Sequence, residues 1–201
     1  MKAASVLMFS FPILAFLCGF VAPQSDPFIS EFQAINHHTY ADADGDFHDW
    51  IELHNPGATL VISGWFLTDD ASDLQKWEIP QNTWISSGDS LLIFASGLDK
   101  ESNGELHTNF KLGSNGEYLA LVMPDGVTVV HDFGSEYPSQ TADTSYGIRF
   151  NPTPIPVETY FSLVTPGETN GYGGPVVLNV ESSPELPGLA DEVVVEAEII
   201  F

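Results

Sequence analysis

The chain has 201 residues, of which 28 are acidic and only five are lysine or arginine, so its formal net charge is −23. A surface this acidic repels phosphate backbones and anionic lipid headgroups, so we expect neither nucleic acid nor a bare membrane as a partner, whereas cations and basic surfaces are favoured. The single cysteine, Cys18, lies inside an apolar leader, so we expect neither disulfides nor thiol chemistry in the mature protein.

Residues 1–25 predict a signal peptide. Lys2 provides a positive amino-terminal region, an apolar run extends from Ala3 to Ala22, and no basic stop-transfer flank follows it. An uncleaved membrane anchor is the alternative. We therefore predict export, with a secreted or cell-surface location and no membrane insertion once the leader is cleaved between Ala22 and Ser25.

From Pro27 to about Ile148, short apolar or alternating runs are separated by Gly, Asn, Asp and Pro, without sustained helical periodicity. This pattern predicts an all-β domain with an antiparallel β-sandwich architecture, because seven short strands are typical of that fold. The predicted strands are residues 28–34, 50–54, 59–67, 76–79, 90–95, 117–123 and 127–133.

Two turn sequences divide these strands. Asn55-Pro56-Gly57 and Pro124-Asp125-Gly126 place proline and glycine where a tight connection needs a fixed or positive φ, and the second predicts a hairpin between residues 118 and 130. Alternation along the first strand of that hairpin places Leu119 and Leu121 on one face, which we expect in the core. We also expect three tryptophans to fill the core: Trp65, Trp77 and Trp84.

The composition changes after Gly147. We assign residues 26–150 to the sandwich domain and residues 151–175, which are rich in proline and glycine, to an edge and linker. Two β-like runs follow at 176–180 and 193–200, and two strands cannot bury a core by themselves. Residues 176–201 therefore predict the start of a truncated second immunoglobulin-like β domain, an incomplete β unit at the carboxyl terminus; docking of these strands on the first domain is the alternative.

Four motifs occur in order along the first domain: DWIELHNP at 49–56, ISGWFLTD at 62–69, ISSGDSLLI at 85–93, and FKL at 110–112 followed by GEYLAL at 116–121. In this order they resemble the lamin-tail domain family, and more narrowly its bacterial exported branch, over about residues 28–148. The resemblance implies an immunoglobulin-like sandwich without catalytic residues, whose roles are partner binding and attachment.

The richest polar segment predicts a possible calcium site. Asp42, Asp44 and Asp46 alternate around Gly45, and oxygen ligands spaced in this way can wrap a hard cation, with Asp49 as a further ligand. The spacing matches an EF-hand loop only in part. The alternative is a loop of Asx turns whose carboxylates cap backbone amides. Calcium is therefore a possible cofactor, and none is required.

The remaining polar and aromatic residues do not predict an enzyme. Six histidines lack metalloprotease spacing, so we do not expect zinc and interpret the histidines as facing solvent. No nucleophile or phosphate-binding motif is present, and Glu52 is interpreted as an outward strand residue. Surface aromatics could form a carbohydrate platform from Trp50, Tyr118 and Tyr146.

These observations favour a noncatalytic extracellular or cell-surface module of a larger multidomain protein, serving binding, adhesion or spacing, with an unidentified protein or glycan as its partner. The alternative is a carbohydrate- or calcium-dependent targeting module of a larger extracellular enzyme whose catalytic part lies beyond residue 201.

Overall fold

The computed structural model describes residues 26–149 and 157–171, together with the backbone of residues 176–183 and 194–200. The signal peptide predicted for residues 1–25 lies outside the described residues. Within the described part of the chain no helix is long and apolar enough to cross a membrane. The strands there are β1 Phe28–Gln33, β2 Asp49–His54, β3 Leu60–Val61, β4 Phe66–Thr68, β5 Trp77–Glu78, β6 Trp84–Ile85, β7 Ser90–Ala95, β8 Lys100–Ser102, β9 Glu105–His107, β10 Ala120–Val122, β11 Val129–Asp132, β12 Ser145–Arg149, β13 Val157–Phe161, β14 Val176–Ser183 and β15 Val194–Ile200.

Two sheets build the sandwich. The larger sheet has the strand order β13-β12-β1-β2-β7-β9-β8, and the smaller sheet has the order β11-β10-β4-β5. Neighbouring strands are antiparallel except for β7 and β9, which are parallel. A short ribbon of β3 and β6 lies beside them, and β14 pairs with β15 in a separate two-stranded sheet. The predicted all-β, antiparallel sandwich is confirmed, with one parallel pair that the sequence did not indicate.

The inward faces of the two sheets enclose an apolar core. Alternate residues of each strand point to the same side of a sheet, so β2 contributes Ile51 and Leu53 while β10 contributes Leu121, and all three are completely buried. Leu119, which precedes β10, belongs to the same cluster. Phe32 of the larger sheet meets Phe133 edge to face, with ring centroids 5.2 Å apart. The core prediction for the two leucines is thus confirmed.

The tryptophans divide between core and surface. Trp65 and Trp77 are buried as predicted, whereas Trp84 is 60 % exposed, so its assignment to the core is wrong. The reason is the alternation along β6: Ile85 takes the inward position, and the preceding residue must then point outward.

The predicted hairpin is confirmed by the pairing of β10 with β11. At its turn the Gly126 amide donates to the Met123 carbonyl over 2.9 Å, and φ at Gly126 is 70°. The Asp125 carboxylate accepts the amides of Val127 and Thr128 over 3.0 and 2.9 Å. Proline, aspartate and glycine therefore act together in this connection, because each satisfies a different requirement of a tight turn.

The segment predicted to be an edge and linker contributes a strand. β13 pairs with β12 along five residues and forms one edge of the larger sheet, so this sheet extends beyond residue 150. The runs predicted around 176–180 and 193–200 are the paired strands β14 and β15. That they begin a second domain stays a prediction.

The outer face of the larger sheet is also covered, by two segments that lack strand structure. Residues 36–48, which lie between β1 and β2, cover one part of it, and residues 162–170, which follow β13, cover another. Trp50, Phe94 and His107 are completely or almost completely buried under the first segment, and Glu31 and Glu52 are buried under the second. Glu52 thus points away from the core as predicted, but it does not reach solvent.

Candidate functional site

The connection between β1 and β2 is fastened to the outer face of the larger sheet. The Asn36 side chain donates to the carbonyls of Tyr40 and His48 over 2.6 and 2.8 Å. The Tyr40 ring stacks on Phe94, with centroids 6.2 Å apart. Beside it, Gln33 accepts the Trp50 indole proton over 2.7 Å. The connection therefore holds its polar side chains at fixed positions over the sheet.

Asp42 organises the acidic turn within this connection. Its Oδ1 accepts the backbone amides of Asp44 and Asp46 over 3.0 and 2.9 Å, and φ at Gly45 is 88°. Burial works to raise the pKa of Asp42, but the two amides and the neighbouring His48 and His107 outweigh it, so the pKa is lowered. One oxygen of Asp42 is thus used in capping, as the Asx-turn alternative predicts.

The other three predicted calcium ligands point elsewhere. Asp44 forms an ion pair with Lys100 over 3.1 Å, and Asp46 is exposed. Burial raises the pKa of Asp49 to about 7 although the amides of Leu112 and Asn36 oppose the shift. Among the residues that the structure describes, Asp42, Asp44, Asp46 and Asp49 do not form a group with converging ligand atoms.

A different group converges on Asp42. One ligand atom from each of Asp42, His48 and His107 lies within 4.8 Å of the other two. The distance from Asp42 Oδ2 to His48 Nε2 is 3.5 Å. His107 is completely buried and Asp42 is 6 % exposed. The interpretation of the histidines as solvent-facing is therefore wrong for His107, which lies on β9 in register with Phe94 of β7.

Three atoms in this group lack hydrogen-bond partners: Asp42 Oδ2, His48 Nε2 and His107 Nε2 are each shielded from solvent. The other ring nitrogen of His107, Nδ1, lies 3.1 Å from Ser96 Oγ. The His107 ring also stacks on Phe94, with centroids 5.1 Å apart. Burial lowers the pKa of His107, and the charge of Lys100 adds to this effect.

Sequence reasoning missed this group for a physical reason. Asp42 and His48 belong to the β1–β2 connection, but His107 joins them only because β9 pairs in parallel with β7. The spacing of these residues along the sequence does not indicate that pairing. The one available signal was the alternation of β9, which places His107 opposite to the buried Leu106.

The covering segment of residues 162–170 binds two buried carboxylates of the larger sheet. Thr165 donates its hydroxyl to Glu31 Oε2 over 2.6 Å and its amide to Oε1 over 3.1 Å. The Gly167 amide donates to Glu52 Oε2 over 2.6 Å. Burial raises the pKa of both glutamates, against these hydrogen bonds. The bonds join the segment to the sheet, which gives the carboxylates a structural role.

Of the three aromatic residues predicted to form a carbohydrate platform, Tyr118 is half-buried and the other two are buried. Trp50 is completely buried and Tyr146 is 9 % exposed, so neither offers a stacking surface. Two of the exposed apolar side chains, Val61 and Trp84, lie on the ribbon as direct cross-strand partners. They are 67 % and 60 % exposed. Directly opposite residues point to the same side of an antiparallel pair, so the two form one apolar patch, called the ribbon patch below.

Comparison with known proteins gives one match. The family model described as Lamin Tail Domain matches residues 21–135, more than half of the chain. No curated protein and no solved structure shows significant similarity to this chain. The matched range contains the four sequence motifs, the ribbon patch and the group formed by Asp42, His48 and His107.

Proposed function

We propose that this chain, which belongs to the lamin tail domain family, is a noncatalytic, exported binding module that holds a partner protein on its β-sandwich surface. The family's immunoglobulin-like fold agrees with the all-β sandwich described above. The predicted leader at residues 1–25 supports export. Attachment of the module within a larger protein, where it also acts as a spacer, is part of the same proposal.

The ribbon patch is the observation that carries this proposal. Val61 and Trp84 form an apolar surface in a domain whose other three tryptophans, Trp50, Trp65 and Trp77, are buried. Tryptophan is enriched among the residues that dominate binding energy at protein interfaces, because it combines a large apolar area with few rotatable bonds. An exposed tryptophan beside a second apolar side chain therefore supports a contact surface.

Charge favours a basic partner. The chain carries a formal net charge of −23, which attracts positively charged surfaces and accelerates their association. The indole face of Trp84 is also the best aromatic acceptor for a lysine or arginine cation. We therefore propose a partner that presents lysine or arginine next to apolar side chains.

The test uses the purified chain and arrays of immobilised peptides that vary in basic and apolar content, with a glycan array in parallel. We expect the chain to bind basic, apolar-containing peptides, and Trp84→Ala to weaken this binding about 30-fold, as for an interface residue worth about 2 kcal/mol. Leu163→Ala is the matched control, because Leu163 is 80 % exposed but lies outside the patch.

Unchanged peptide binding by Trp84→Ala would contradict the proposed surface. Binding to a glycan that depends on Trp84, without binding to basic peptides, would replace the protein partner with a carbohydrate. The export step is tested separately, by determining the amino terminus of protein secreted by an expressing cell; an intact Met1 on cell-bound protein would contradict cleavage.

A further inference from the structure

The unpartnered atoms of Asp42, His48 and His107 require an explanation. A buried polar atom without a hydrogen bond costs free energy, and such atoms are rare in native proteins. Here three of them occur together, each with almost no solvent exposure and without a hydrogen-bond partner, and their side chains face one another within 4.8 Å. Asp42 Oδ2 and His48 Nε2 lie 3.5 Å apart, at ion-pair distance, but form no hydrogen bond. Three neighbouring side chains that share this deficit point to a common missing partner.

The chemistry of the three atoms defines that partner. All three can act as metal ligands, since a carboxylate oxygen and the ring nitrogen of an imidazole each donate a lone pair to a bound metal. A cation with a preference for imidazole satisfies all of them at once. Two nitrogens and one oxygen suit zinc and similar transition metals, whereas calcium requires six to eight oxygen ligands.

The spacing also suits such an ion. Metal–nitrogen and metal–oxygen bonds of about 2.0–2.2 Å in a tetrahedral site place neighbouring ligand atoms roughly 3.3–3.5 Å apart. The observed distance from Asp42 Oδ2 to His48 Nε2 is 3.5 Å, and the other pairs lie within 4.8 Å. A small inward movement of His107 would complete three ligand positions.

The surroundings orient two of the ligands. Ser96 Oγ lies 3.1 Å from His107 Nδ1 and can accept its proton, which leaves Nε2 free to bind a metal. The amides of Asp44 and Asp46 hold Asp42 Oδ1, so that Oδ2 is the oxygen left for the cluster. Outer contacts of this kind are typical of metal sites.

We propose that Asp42, His48 and His107 form a site for a single zinc ion, with its fourth position open to solvent beside the 20 % exposed His48 side chain. The ion joins the β1–β2 connection to β9 across the outer face of the larger sheet. It would thus cross-link two segments of a domain that contains no cysteine and therefore no disulfide bond. The ion would add to the contacts of Asn36 and Tyr40 that already fasten this connection to the sheet.

The experiment uses untagged, chelator-treated protein, because a polyhistidine tag would itself bind zinc. Zinc is titrated by calorimetry, and thermal unfolding is followed with and without the ion. We expect one zinc per chain and a rise in Tm, since a ligand that binds only the folded state stabilises it. Substitution of cobalt should give the visible absorption of a four-coordinate ion with nitrogen and oxygen ligands.

Two variants remove one ligand each with little change in shape. Asp42→Asn keeps Oδ1 for the two amides while replacing the metal-facing oxygen, and His48→Asn removes a partly exposed imidazole. Loss of an outer-shell partner already weakens zinc binding about 10–100-fold, so we expect at least a 100-fold loss in either variant. The matched controls are His38→Asn, an exposed histidine outside the group, and Asp46→Asn, which removes an exposed acidic side chain of the same turn. Both should bind zinc as the parent chain does.

Several results would overturn the site. These are the absence of stoichiometric zinc binding, binding by Asp42→Asn and His48→Asn equal to that of the parent chain, or loss of binding in Asp46→Asn to the same extent as in those two variants. Calcium binding without zinc binding, abolished by Asp46→Asn, would replace it with a calcium site in the acidic turn. Parent-like folding of the variants, checked by their thermal unfolding without metal, separates loss of a ligand from loss of structure.

Discussion

The inner and outer faces of the larger sheet are both buried, but by different chemistry. The inner face packs apolar side chains such as Ile51 and Leu53 against the smaller sheet. The outer face presents Glu31, Glu52 and His107, which are covered by connecting segments. Apolar contacts are non-directional, whereas buried polar groups need partners at defined positions. Changes of side-chain shape should therefore destabilise the inner face. Changes that remove a hydrogen bond should destabilise the outer face.

The largest effect is expected from removing an aromatic ring on the inner face. Phe32 lies with its ring centroid 4.6 Å from that of Tyr137 and 5.2 Å from that of Phe133. Phe32→Ala should lower the free energy of unfolding by about 3–5 kcal/mol, because it leaves a cavity in a close-packed region. Urea unfolding followed by tryptophan fluorescence measures it. Leu163→Ala, at an exposed position, should change it by less than about 0.5 kcal/mol.

The next effect concerns the approach of β1 to β12. A Cβ at Gly147 would overlap the backbone of Ser30 and Glu31, whereas a Cβ at Gly171 would meet nothing within 4 Å. Gly147→Ala should cost up to about 3 kcal/mol, since backbone atoms of a paired strand cannot rotate away. The same urea experiment on Gly171→Ala gives the control. Equal stability of the two variants would contradict the close approach.

A smaller effect is expected from one hydrogen bond on the outer face. Thr165→Val keeps the shape of the side chain but removes the hydroxyl that donates to Glu31 Oε2. We expect a loss of about 1–2 kcal/mol, because a buried carboxylate loses a donor. Thr128 donates to Asp125 over 2.6 Å at an exposed position, so Thr128→Val should cost less. A comparable loss in both variants would argue against a difference between buried and exposed carboxylates.

The outer face also predicts a dependence on pH. Burial raises the pKa of Glu31 and Glu52 above the ordinary value of 4.5, so the folded chain binds more protons than the unfolded chain just above that pH. Stability must then fall as the pH rises from 4.5 through the folded-state values. Thermal unfolding across this range checks the sign. Glu31→Gln should flatten the slope, whereas Glu136→Gln, an exposed change of equal charge, should retain it.

The contrast between the faces also explains what the sequence could predict. Alternating leucines in 117–123 and the Pro-Asp-Gly turn report local rules, and both the hairpin and its core residues were predicted correctly. The two-residue strand β6 is too short for such a pattern, which is why Trp84 was placed in the core. The four motifs indicated the lamin-tail family, and that prediction did not depend on the position of Trp84.

The candidate site was predicted only in part. Asp42 was identified from the alternating aspartates, but its partners His48 and His107 were not, because burial by a covering segment has no periodicity. The same limitation applies to Glu52, whose outward direction was predicted while its cover, Gly167, lies 115 residues further along the chain. Polar residues on an outer strand face are therefore not evidence of exposure.

The segment that follows β13 has a mechanical consequence. Asn170 donates to the carbonyls of Ser30 and Ile148 over 2.8 and 2.9 Å, and Thr165 is bound to Glu31. Tension applied through the chain beyond Gly171 reaches these side-chain bonds before it reaches the ladder between β12 and β13. Under load they would yield first and lengthen the chain by the released segment, so that the paired strands of the sandwich remain intact while the tether extends.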